Sequence, residues 1–155
     1  MDKTLISRRF AKAVGTYLDK ADVQRYVASR MAELTGRYIP ADVQERVLEI
    51  GCGTGMFTRM YLNQAAPEEM WLNDLCPEVK PYLADVLGEK VHFVAKDAET
   101  LAFPGGQDLI VSCSAVQWFD DLPRFFSGCR RLLHEGGYLA FSTFGPHNTE
   151  EVATL

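Results

Sequence analysis

The segment Val47-Leu-Glu-Ile-Gly-Cys-Gly-Thr-Gly55 runs a short apolar stretch directly into three glycines at alternate positions. An apolar run of that length bounded by glycine reads as a buried strand. Glycine adopts positive φ without steric cost and lets the backbone come close to a bound molecule. A chain that sets such a loop between a strand and a helical pattern is constrained to strand–loop–helix architectures with a nucleotide-type cofactor at the turn.

The rest of the chain fits that constraint. From Arg46 onward, short apolar runs alternate with helical stretches, the order expected of βαβ units and a parallel sheet. Strands are expected over residues 47–52, 70–73, 91–95, 109–113 and 138–143. Helices are expected over 55–64, from Pro77 onward and over 122–133, with a short connection at 98–103. Pro81, one turn after Pro77, implies a short or kinked start, and His134-Glu-Gly-Gly137 supplies a glycine stop before the fifth strand. Upstream, Val23, Tyr26, Val27, Met31 and Leu34 form an amphipathic stripe that Gly36 would end, and Phe10, Val14, Tyr17 and Leu18 form a shorter one. The expected organisation is a single domain: a helical cap over residues 1–45 and a Rossmann-like core over 46–155.

Composition enters as exclusion. At 155 residues, 47% hydrophobic and 24% charged, there is room for one core. No apolar stretch nears the roughly 20 residues a membrane span needs, and the basic N-terminus lacks a following apolar region, so a cytoplasmic protein without membrane contact is expected. Cys52, Cys76, Cys113 and Cys129 form no C-x-x-C pair, and with only His92, His134 and His147 besides, no metal site is expected. The net charge of −5 argues against a general nucleic-acid partner.

The cofactor is chosen by the loop's surroundings. The dinucleotide fingerprint places its third glycine three positions after the second, where this chain has Met56, and the phosphate-binding lysine loop is absent, so a nicotinamide dehydrogenase is disfavoured. Glu49, still on the strand, offers a carboxylate to a cationic amino group. Asp74 ends the second strand about 20 residues beyond the loop, the separation at which an acidic side chain meets ribose hydroxyls. Asp97 follows the third strand and suits an adenine amine. These carboxylates, with Gly51, Cys52, Gly53, Gly55, Asn73, Leu75 and Ala98 beside them, make a candidate site for S-adenosylmethionine. Asp after a strand also caps helices and forms turns, and for Asp97 that reading stands equally open. Cys52 reads as a small filler rather than a nucleophile.

On these motifs and on Gln107-Asp-Leu-Ile-Val-Ser-Cys-Ser114, the chain from Arg46 to Thr143 resembles the class I S-adenosylmethionine-dependent methyltransferases. Within them it is similar to the malonyl-acyl-carrier-protein O-methyltransferases of biotin synthesis. That likeness rests on Phe10-Ala-Lys-Ala-Val-Gly-Thr-Tyr17 with Gln24, on Ser112-Cys-Ser-Ala-Val-Gln-Trp118, and on Phe141-Ser-Thr-Phe-Gly-Pro146 followed by Glu150 and Glu151. The resemblance implies that Tyr17 and Gln24 help close the cofactor site, that Ser114 and Ala115 line the floor under the methionine part, and that Trp118 faces substrate or plugs the core. It also implies an acyl-carrier protein as partner, for which Arg8, Arg9 and Lys12, or Arg124, Arg130 and Arg131, are candidate docking residues. The class continues with two further strands where this chain reaches Leu155, so the fifth strand is expected to present an open edge suited to self-association.

A carboxylate acceptor is already ionised at pH 7, so no catalytic base is expected and catalysis would be positioning. Two other readings remain open: a methyltransferase for another small acid or quinone precursor, and a catalytically silent cofactor-binding module.

Overall fold

The computed structural model describes residues 2–17 and 21–145, with the side chains of 14–17 left aside. Five strands form one sheet in the order β3-β2-β1-β4-β5: β1 (Arg46–Ile50), β2 (Glu69–Asp74), β3 (Val91–Ala95), β4 (Gln107–Cys113) and β5 (Leu133–Ser142). Every neighbouring pair is parallel. The chain builds outward from β1 to β3, then returns to the other side of β1 for β4 and β5. That reversal opens a crevice beyond the carboxyl ends of β1 and β4, the usual ligand position in such sheets.

The helices are α1 (Lys3–Tyr17), α2 (Asp22–Tyr38), α3 (Met56–Leu62) and α4 (Leu122–Leu132). Side chains alternate across β1 and β4 and feed two cores. Val47, Leu109 and Val111 pack with Met31, Phe57 and Tyr61 from α2 and α3. Leu48, Ile50 and Ile110 pack with Phe125, Cys129 and Leu132 from α4. Burying each such side chain contributes about 1.5–3 kcal/mol, so both faces of the sheet are fixed. Polar bonds add register: the Tyr61 hydroxyl donates to Gln44 Oε1 at 2.8 Å, and Gln64 Nε2 donates to the Ala32 carbonyl at 2.6 Å.

Several sequence expectations are corrected. Gly36 does not end α2, which continues to Tyr38 just before Pro40; a Cβ at Gly36 would come within 2.9 Å of Gln64 Nε2. The buried face of α2 is Ala28, Met31, Ala32 and Thr35, while Val23 and Tyr26 are 64% and 73% exposed. Small residues there let α2 sit close to α3, and a wider apolar stripe would not. The Pro77 helix is a 3₁₀ segment, Pro77–Leu83, because Pro81 removes a backbone donor inside it. β5 begins directly after α4, with residues 134–137 bulging where the register shifts between Gln107 and Leu109, so Gly136 at φ +85° shapes a bulge and not a helix stop. Leu18 and His147 lie outside the described residues. Among the described residues no helix is long and apolar enough to cross a membrane.

Candidate functional site

The crevice holds a cavity of about 190 Å³. Its floor is the loop between β1 and α3, where Gly51, Gly53 and Gly55 all have positive φ. Gly51 is fixed by close approach: a Cβ there would stand 2.4 Å from Ala115 Cβ, on the loop after β4. Gly53 serves the opposite need, because a Cβ there meets nothing within 4 Å and would project from the bare cavity wall into ligand space.

Two carboxylates are built into that floor. Glu49 is 1% exposed, and its Oε2 accepts from the Thr58 hydroxyl at 2.7 Å. Burial pushes its carboxyl up to about 8, against the lowering effect of the Thr58 bond and with a further push from Asp74. Glu49 is therefore poised to give up its proton when a cation arrives beside it. Asp74 Oδ2 accepts from the Gly53 amide at 2.8 Å and Oδ1 from the Cys76 amide at 2.9 Å. Burial raises its carboxyl above the ordinary range, opposed by those amides. A carboxylate has about four acceptor positions, so Asp74 can organise the loop and still receive a diol.

Asp97 also lines the cavity, and both of its open roles bear on one side chain. It caps the turn Ala98–Thr100 by accepting from the Glu99 amide at 3.0 Å, and its Oδ2 accepts from Lys3 Nζ at 2.7 Å. Lys3 also pairs with Glu99. Glu99 in turn accepts from the amides of Asp120 and Asp121, so the loops after β3 and β4 and the first turn of α1 meet at one cluster.

The cavity gathers most of the expected residues: Gln24, Gly51, Cys52, Gly53, Leu75, Ala98, Ser114, Ala115 and Trp118 line it beside the three acids. Asn73 reaches it too, although its Nδ2 is spent on the carbonyls of Val94 and Lys96, pinning β2 to β3. Cys52 is buried, and burial holds its thiol well above the ordinary value, which fits a filler. Ser114 takes φ +57°, and its amide donates to Ser142 Oγ at 3.0 Å. Gly55 departs from expectation: it is buried and lines no part of the cavity, with Leu83 and Arg59 against the position of its missing Cβ. The side chain of Tyr17, and Pro146, Glu150 and Glu151, lie outside the described residues.

Sequence reasoning finds Phe10 on α1 but misses Lys3, Ile6 and Ser7 beside it on the inner face. Lys3, Ile6, Ser7 and Phe10 line the cavity, and Phe10 meets Trp118 edge-on with centroids 6.2 Å apart. Their spacing of three and four is legible, but a polar lysine and serine on that stripe hide it from an apolar-periodicity search. The basic residues Arg8, Arg9 and Lys12 are exposed on the same helix, as are Arg124, Arg130 and Arg131 on and beside the outer surface of α4.

Residues 48–141 match the methyltransferase domain family. The chain is 50% identical to malonyl-[acyl-carrier protein] O-methyltransferase of Bacteroides thetaiotaomicron, over 100% of this chain and 59% of that one. It is 46% identical to the protein of the same name from Bacteroides fragilis, over 99% of this chain and 31% of that one. It thus spans well under two thirds of the length of either. Among solved structures, an S-adenosylmethionine-dependent methyltransferase from Mesorhizobium loti superposes with a TM-score of 0.64 at 26% identity, covering 74% of this chain and 54% of that one. The fold is the Rossmann-like fold of that class, with five parallel strands among the described residues.

Proposed function

The chain belongs to the methyltransferase domain family, and on that premise we propose that its cavity takes S-adenosyl-L-methionine as methyl donor and releases S-adenosyl-L-homocysteine. The observation that carries this reading is the pairing of a bare glycine wall at Gly53 with a buried carboxylate at Glu49 and a half-buried one at Asp74. Glu49 receives the donor's ammonium group, Asp74 the ribose hydroxyls, and Ala98 and Asp97 border the adenine. Gly51, Cys52, Ser114 and Ala115 form the floor, and Gln24 and Tyr17 belong to the closure. Residues 1–45 act as a cap on the core of 46–155.

When bound, the donor supplies an activated methyl group on a sulfonium. The protein's part is to hold that group in line with the acceptor and keep water out, which can account for about 7–11 kcal/mol of a barrier. No residue needs to remove a proton from an acceptor that is already a carboxylate. Buried Glu49 offsets the ligand's positive charge, and Trp118 with Phe10 forms the aromatic border of the cavity through which an acceptor approaches.

The acceptor we propose is the free carboxylate of a malonyl thioester on acyl-carrier protein, in the cytoplasm, on the strength of the named relatives. Arg8, Arg9 and Lys12 lie on the outer side of the helix whose inner side lines the cavity, and they are the docking residues we favour. The outer edge of β5, the last strand of the sheet, is the surface we assign to self-association. Methyl transfer to malonyl-acyl-carrier protein, run beside a panel of free small acids and quinone precursors, tests the acceptor. Product on the carrier alone supports it, product on another acceptor replaces it, and cofactor binding without any product makes the chain a binding module.

A further inference from the structure

Arg59 lines no part of the cavity, yet its guanidinium joins two of the loops that do. It sits on α3, just past the glycine loop, and its Nη1 donates to the carbonyl of Thr54 at 2.6 Å. Its Nε and Nη2 form a fork on Asp85, at 2.8 and 2.6 Å, and Nη2 also donates to the carbonyl of Tyr82 at 2.5 Å. Thr54 belongs to the loop after β1, while Tyr82 and Asp85 lie at the end of the segment after β2, which places Val79 against the cavity. The pairing holds the Asp85 carboxyl below its ordinary value, as expected of a formed ion pair.

The third glycine of the loop fits the same arrangement. A Cβ at Gly55 would stand 2.6 Å from Leu83 Cδ2 and 2.9 Å from Arg59 Nη1, and φ there is +83°. A side chain at this position would displace the tip of Leu83 and the guanidinium nitrogen that reaches Thr54, in a backbone conformation that L residues rarely adopt. Gly51 and Gly53 face the cavity; Gly55 faces the brace.

We infer that Arg59 is a positioning residue for the cofactor, clamping the glycine loop to the Pro77–Leu83 segment, and that Gly55 is glycine to admit this clamp. The inference rests on the reading that the cavity takes S-adenosylmethionine. Clamping fixes the carbonyl of Thr54, in the same loop whose Gly53 amide is held by Asp74, so the loop meets its ligand already ordered. A lysine replaces the group only in part, because the planar fork reaches two carbonyls and a carboxylate together.

The test compares Arg59→Ala, Arg59→Lys and Asp85→Ala by titration with S-adenosylhomocysteine and by amide hydrogen exchange. Loss of these charge-assisted bonds is expected to weaken binding about tenfold or more in Arg59→Ala, less in Asp85→Ala, with partial recovery in Arg59→Lys. Exchange is expected to speed up at residues 51–56 and 76–83 while the strands keep their protection. Wild-type affinity in Arg59→Ala, or protection lost across the whole sheet, overturns the inference. Should the wild-type chain bind no S-adenosylhomocysteine, the cofactor reading fails, and exchange at the two loops still decides whether the clamp exists.

Discussion

The two sides of the cavity are held by different forces. On the sheet side, Glu49, Gly51, Gly53 and Asp74 rest on two packed cores, and the half-buried Asp74 carboxylate ties the loops after β1 and β2 together by accepting from the amides of Gly53 and Cys76. On the helix side, α1 is attached through Lys3 to Asp97 and Glu99 and through the edge contact of Phe10 with Trp118, itself 40% exposed. Ion pairs near solvent contribute about 0–1 kcal/mol, whereas a rigid packed wall transmits small displacements at high cost. The difference separates two properties. On the proposed cofactor reading, changes on the sheet side should alter how tightly a ligand binds, and changes on the helix side how fast it comes and goes.

The largest expected effect attacks the rigid side. Gly51→Val forces a side chain into Ala115 and into φ +71°. Strain and overpacking together cost about 3 kcal/mol or more, which lowers S-adenosylhomocysteine affinity about 100-fold in a calorimetric titration. Unchanged affinity would place the ligand away from this floor.

A pH series on Glu49 sharpens the same side. Its carboxyl is raised in the fold from 4.5 to about 8, so its contribution to stability is complete below 4.5 and is lost as pH rises through about 8. Wild-type thermal stability should therefore fall across that window, and Glu49→Gln should flatten the fall. Binding of a cationic ligand near pH 7 should release up to one proton, read as a dependence of binding enthalpy on buffer ionisation that Glu49→Gln abolishes. Identical pH curves for the two proteins would remove Glu49 from both roles.

Smaller effects belong to the helix side. Lys3→Ala should speed release of S-adenosylhomocysteine by about fivefold at most, with high salt reproducing the effect on the wild-type chain. Release rates indifferent to both would mean that α1 is held by something other than this ion-pair cluster. Trp118→Phe keeps an aromatic edge toward Phe10 and should alter affinity less than about twofold. A larger loss would assign the indole a direct ligand contact.

Legibility in the sequence follows the same division. β1, the glycine loop and the placement of Glu49 and Asp74 beside one cavity are legible because a buried strand, a forced turn and an acidic strand end each leave a local mark. β5 and the 3₁₀ segment Pro77–Leu83 were readable in kind but not in extent, since a bulge at Gly136 and the missing donor at Pro81 act through neighbours. Gly55 was assigned to the cofactor because sequence shows that a glycine is needed but not which atom needs the space. On α1 the stripe through Phe10 is legible but the cavity role of Lys3, Ile6 and Ser7 is not: Lys3 acquires meaning only through Asp97 and Glu99, which the fold brings to it from the end of β3.

On the proposed reading the cavity binds the methyl donor from its sheet side. Titration of the wild-type chain and of Asp74→Ala with S-adenosylhomocysteine, with NADH as the competing ligand, tests it most directly. Saturable binding of S-adenosylhomocysteine to the wild type, lost in a still-folded Asp74→Ala and absent for NADH, is the predicted result. Binding of NADH in its place, or equal binding of S-adenosylhomocysteine to both proteins, would contradict it.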